Sequence, residues 1–186
     1  MADRKAKITR KTKETDILVQ INLDGVGKYE IDTGIGFLDH MLCHLSKHSK
    51  IDLILKAKGD LEVDQHHTVE DVAICLGEAL GEALGDKKGI ARYGNSAVPM
   101  EDALANIALD LSGRPFCVYN VEYRTEKVGD FDVECVEELL RSFANNGKLN
   151  LHISVPHGTN SHHIAEAVGQ AVKITGKDIP STKGSL

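Results

Sequence analysis

Two five-residue runs carry most of the chemistry this chain can do. His66-His67-Thr68-Val69-Glu70 recurs 96 residues downstream as His162-His163-Ile164-Ala165-Glu166. On an α-helix, residues four apart lie about 40° apart around the axis, so His66 and Glu70 share a face and can grip one ion. The same holds for His162 and Glu166. His67 and His163 are each turned by about 100° and must address something else. Imidazole plus carboxylate is a borderline donor set, suited to Mn, Fe or Zn. A single His-x-x-x-Glu pair is most often a solvated helix face. Two copies, each opening a helix, favour metal ligation, because paired histidines have poor helix propensity and gain little from exposure.

His40, His44 and His48 form a third group, on one helix face at i, i+4 and i+8. Asp39-His40-Met41-Leu42 matches Glu137-Glu138-Leu139-Leu140 at an offset of 98, which puts Glu138 at the His40 position. His44, His152 and His157 have no counterpart and read as polar surface or core-edge residues. The four cysteines, at 43, 75, 117 and 135, are not spaced with a histidine partner. They read as small buried hydrophobes, reduced in a cytosol.

The elements that must position these residues follow from apolar periodicity. Lys7–Lys11 and Asp16–Leu23 read as strands, the second with Ile17, Val19, Ile21 and Leu23 alternating. Asp24-Gly25-Val26-Gly27 turns the chain, and Lys28–Asp32 returns as the hairpin partner. A helix from Phe37 carries Leu38, Met41, Leu42 and Leu45, a strand covers Ile51–Lys58, and a long helix starts near His66 and closes at Gly85-Asp86. The second half repeats that order. Strands are expected near Ala91–Val98, Ala103–Leu111 and Phe116–Glu122, a helix over Val133–Ala144, a strand over Leu149–Val155 and a helix from His162. Ala103–Leu111 is ambiguous, since its composition favours helix and its alternation favours strand. The change of offset from 98 to 96 is assigned to the helix-to-strand loop. The expected fold is therefore α/β (α+β) and internally duplicated, with sheets packed on helices and halves at 1–88 and 89–186.

Composition narrows the function classes. The 186 residues carry 22 basic and 28 acidic side chains, a formal net charge of −6, with 4% aromatics and no Trp. Neither a basic face nor a stacking platform for nucleic acid is present. No apolar run approaches the roughly 18 residues of a membrane span. Met1–Lys7 is charged and lacks the apolar core of a signal peptide, so a cytoplasmic protein is expected.

Nearly end to end, the sequence resembles the imidazoleglycerol-phosphate dehydratases. The resemblance rests on Thr12-Lys-Glu-Thr15, Asn22-Leu-Asp-Gly25, Gly36-Phe-Leu-Asp-His-Met-Leu42, Asp64-Gln-His-His-Thr-Val-Glu-Asp71, Gly89-Ile-Ala-Arg-Tyr-Gly94, Asp110-Leu-Ser-Gly-Arg-Pro115, Phe143-Ala-Asn-Asn146, Asn160-Ser-His-His-Ile-Ala-Glu-Ala167 and Ile179-Pro-Ser-Thr-Lys-Gly184. It implies a duplicated half like the second domain of ribosomal protein S5, a homo-oligomeric 24-subunit shell and two divalent metal ions per chain, Mn, in sites built between chains. By resemblance, one ion falls to His40, His67, His162 and Glu166, the other to His66, Glu70, His163 and Glu138. Glu14 and His48 match positions of the proton chemistry and substrate side. Arg92, Arg114, Ser181, Thr182 and Lys183 match the phosphate side, where forked guanidinium donors suit a dianion. Two positions depart from the family pattern: Glu138 stands where many relatives carry His, and Gln170 where many carry Lys.

The implied reaction removes water from imidazoleglycerol phosphate to give imidazole acetol phosphate. The C–H to be broken has no neighbouring carbonyl to acidify it, so the imidazole ring must supply the driving force, with the ions as Lewis acids and a positioned side chain as base. A dinuclear hydrolase could use the same ligands but needs metals about 3.5–4 Å apart, whereas the implied division of ligands separates them. A metal-storing shell would not need the phosphate-side residues.

Overall fold

The computed structural model describes residues 4–172. Its elements are β1 (Lys5–Lys11), β2 (Thr15–Asn22), β3 (Tyr29–Asp32), α1 (Gly36–Ser49), β4 (Asp52–Gly59), α2 (His66–Leu84), β5 (Tyr93–Met100), β6 (Ala103–Asp110), β7 (Phe116–Asn120), β8 (Lys127–Val128), β9 (Phe131–Asp132), α3 (Glu134–Gly147), β10 (Asn150–His157) and α4 (Ser161–Ala171). Two four-stranded sheets have the orders β1-β2-β4-β3 and β5-β6-β10-β7. In each, two antiparallel pairings are followed by a parallel one at the last strand. Among the described residues, the short β8–β9 hairpin has no counterpart in the first half.

The expected hairpin between the second strand and Lys28–Asp32 does not form. β2 has β1 on one edge and β4 on the other, so β3 pairs in parallel with β4 instead. Asp52 at the start of β4 holds the intervening loop, accepting the Val26 and Lys28 amides on one oxygen at 2.9 Å each. Ala103–Leu111 resolves as a strand: Ala103, Ala105, Ile107 and Leu109 are buried on one face, and both edges are paired. Sheet context here overrides intrinsic preference.

The repeat is legible in the backbone. Both α1 and α3 end on a left-handed lysine, Lys50 and Lys148, 98 residues apart. Each first histidine has its amide held by a side chain: Asp64, one residue before the N-cap Gln65, accepts the His66 amide at 2.8 Å, and Asn160, the N-cap of α4, accepts the His162 amide at 2.9 Å. The two-residue difference between halves lies between the strand and the first histidine, residues 60–65 against 158–161, and not in the helix-to-strand loop. The offset of 98 therefore persists through the fourth strand of each repeat.

Helices α1 and α2 cover one sheet, α3 and α4 cover the other, and α2 packs on α3 while α1 packs on α4. The apolar core is one connected cluster that runs through both sheets and all four helices. At the α2–α3 crossing a Cβ on Gly77 would lie 2.7 Å from Gly147 N and Phe143 O, so a residue without a side chain sets that approach. The α1–α4 contact matters for the chemistry, because it carries His40 to the helix of His162 and Glu166.

Candidate metal centre

His40 is positioned from both sides of its turn. Asp39, in the first turn of α1, accepts from the Thr33 amide at 3.0 Å and the Thr33 hydroxyl at 2.7 Å, fixing the β3–α1 connection. His40 Nε2 then stands 2.5 Å from Glu166 Oε1 on α4, and His162 Nε2 lies 3.7 Å from the same oxygen. Ligand atoms of His40, His162 and Glu166 all fall within 4.8 Å of one another, which is the one such group of three among the described residues. Phe37 packs between the histidines, with ring centroids 6.3 Å from His40 and 5.3 Å from His162. Glu166 is 5% exposed. Burial pushes its acidity down, but the His40 hydrogen bond and the nearby His162 and His44 rings outweigh that and hold the carboxyl below its ordinary range. Two imidazole nitrogens and one carboxylate oxygen make a donor set that fits a borderline divalent ion.

His67 is not in that group. Its Nδ1 lies 3.0 Å from Asp60 Oδ2, and the Asp60 hydrogen bond raises its basicity. The adjacent rings of His66 and His67 are 6.4 Å apart and nearly perpendicular at 87°, and those of His162 and His163 are 6.2 Å apart at 88°. Neighbouring histidines thus point to different places, as helical spacing requires. His163 Nδ1 lies 2.6 Å from Asp102 Oδ1. His66 is exposed and Glu70 half-buried. Glu138 accepts from the Ser142 hydroxyl at 2.7 Å. These residues are not drawn together with His163 in one chain.

Glu14 sits in the β1–β2 turn. Thr12 Oγ1 accepts the Glu14 and Thr15 amides at 3.1 and 2.9 Å. Buried Asp71 on α2 accepts from the Thr15 hydroxyl and, at 2.7 Å, from Arg10 Nε, tying the turn to the histidine helix. Glu14 Oε2 ends 4.0 Å from His67 Nδ1. His48 is exposed and stacks on His44, centroids 5.6 Å apart.

Arg92 pairs with Asp110 through two contacts of 2.6 and 3.0 Å and lies over the Tyr93 ring. Arg92, by its hydrogen bonds, and Arg114 and Lys87, by charge, hold Asp110 below its ordinary range, so three cations surround one carboxylate. This cluster is at the Asp110 end of β6, whereas Asp102 and His163 are at the Ala103 end. Seven strand steps at about 3.3 Å separate the two ends by about 23 Å. Ser181, Thr182 and Lys183 lie outside the described residues.

Three participants escape the sequence. His44, assigned to surface or core edge, has Nε2 at 3.1 Å from His40 Nε2 and 3.5 Å from Glu166 Oε1. Its i+4 spacing from His40 is the signal that could have placed it there. Asp60 and Asp102 each meet a histidine through tertiary contacts.

The imidazoleglycerol-phosphate dehydratase family model matches residues 33–175. An imidazoleglycerol-phosphate dehydratase from Cereibacter sphaeroides is 53% identical over 98% of this chain and 100% of its own length. One from Desulforudis audaxviator is 53% identical over the whole of both chains. Among solved structures, the Staphylococcus aureus dehydratase superposes with a TM-score of 0.82 at 38% identity, covering 90% of this chain and 92% of that one.

Proposed function

As a member of the imidazoleglycerol-phosphate dehydratase family, the chain is a hydro-lyase of histidine biosynthesis acting on imidazoleglycerol phosphate, and we propose that its active site is shared between copies and holds two divalent ions per chain, Mn. The observation that carries the shared-site reading is the length of β6. An imidazole ring joined to a three-carbon phosphate is much shorter than the about 23 Å between the two ends of β6, where His163 and Arg92 are anchored. That separation supports a metal side and a phosphate side drawn from different copies of a homo-oligomer, 24 subunits by resemblance. The two halves, 1–88 and 89–186, would each supply one histidine helix, and the enzyme would work in the cytoplasm.

An ion held by His40, His162 and Glu166, and a second by His66, Glu70, His163 and Glu138, would supply Lewis acidity to the substrate ring. His67 would complete the first set from another copy. The remaining work belongs to side chains. Glu14, exposed on a turn anchored to α2, can accept the proton from a carbon that has no adjacent carbonyl. His48 stands as the alternative proton carrier. Arg92 and Arg114 offer forked donors to a dianionic phosphate, with Ser181, Thr182 and Lys183 as further phosphate contacts.

Complementation tests this reading. Arg92→Ala and Glu166→Gln chains, each inactive alone, should regain a fraction of wild-type turnover when co-expressed and co-assembled. Mixed particles with no activity would show that each chain serves its own site.

A further inference from the structure

The second histidine of each HHxxE run has a carboxylate on Nδ1: Asp60 at 3.0 Å from His67, and Asp102 at 2.6 Å from His163. These carboxylates are not repeat counterparts. Asp60 lies in the strand-to-helix connection, where the offset of 98 places Gly158 in the second half. Asp102 immediately precedes β6, where the first half has Glu14 immediately before β2. The duplication has copied the histidine but not its partner, and two unrelated segments still reach the same ring atom.

A carboxylate can only accept, so each Nδ1 must carry a proton, and in the neutral ring that leaves the lone pair on Nε2. We propose that Asp60 and Asp102 are positioning residues that hold His67 and His163 as the Nδ1–H tautomer and present Nε2 to an ion. The inference rests on the metal-dependent reading above. It also accounts for Glu14. With Asp60 on His67, the counterpart of Asp102 stops 4.0 Å short of the ring and stays free for proton chemistry. Asp102 itself is fixed from the other side, since its Oδ2 accepts from the Thr159 amide, the Thr159 hydroxyl at 2.6 Å and the Asn160 amide at 3.1 Å.

That asymmetry makes Asp102→Asn informative. Its amide oxygen can keep the three loop donors, which turns the NH2 toward Nδ1 and forces the proton onto Nε2. Mn binding measured by calorimetry should weaken by about 10–100-fold in Asp102→Asn and in Asp60→Asn. Raman difference bands of the metal-free protein should report a shift from the Nδ1–H to the Nε2–H tautomer in Asp102→Asn. Asp60→Asn placed in a His67→Ala background should cost no further Mn affinity, because a positioning residue acts through its histidine. Wild-type Mn affinity in both Asp variants, or an unchanged tautomer spectrum, would overturn the inference. Wild-type protein that takes up no Mn would overturn the metal reading instead, while the tautomer bands would still decide the role of Asp102.

Discussion

Nε2 of His40, in the first repeat, lies 2.5 Å from Oε1 of Glu166, in the second. The two residues are 126 positions apart in sequence and meet only because α1 packs on α4. Glu166→Gln keeps the side-chain size but removes the charge that three histidines converge on. Mn affinity should fall by more than the roughly 10–100-fold typical of residues behind the ligands, with turnover lost alongside it. Retained metal with retained turnover would exclude Glu166 as a ligand.

Glu14→Gln should behave in the opposite way. The turn that presents Glu14 is held by Thr12 and, through Thr15, by Asp71, so losing the carboxylate leaves the scaffold in place. Metal content should match the wild type while turnover drops by about 10²-fold or more. Near-wild-type turnover would move the proton chemistry to His48.

Gly59 ends β4 one residue before Asp60, and a Cβ there would overlap the Thr68 hydroxyl on α2. Gly59→Ala should push the start of α2 away from the strand and lengthen the Asp60–His67 contact. The expected outcome is a lower thermal midpoint together with weaker Mn binding. A variant with an unchanged midpoint would mean that this close approach is not what sets the helix position.

Asp52 gives a pH signature. Burial weakens it as an acid, but the amides of Lys28, Val26 and Gly27 outweigh burial and hold the carboxyl below its ordinary range. A depressed folded value contributes stability above the unfolded value of about 3.9, and that contribution is lost as pH falls through the folded value. The stability gap between wild type and Asp52→Asn should therefore be full at pH 6 and shrink below about pH 4. A gap that is constant from pH 6 to pH 3 would contradict the loop-holding role.

Much of this was legible in the sequence, for stated reasons. Alternation in Ile17, Val19 and Ile21 marks β2, and the HHxxE runs mark the starts of both histidine helices, because these signals are local. The parallel partner of β3 was not legible, since Lys28–Asp32 looks the same whether β2 or β4 takes its edge. The β8–β9 hairpin has only two residues per strand, too few for a period to show. His44 was within reach of helical spacing. Asp102 was not, because nothing in the β5–β6 turn indicates that the start of α4 will pack against it.

The most direct measurement is water loss from imidazoleglycerol phosphate by chelator-stripped protein, before and after Mn is added back, with residual metal quantified. Turnover should vanish on stripping and return with Mn to a level that tracks the ions bound per chain. Full turnover in protein with no residual metal would contradict the account.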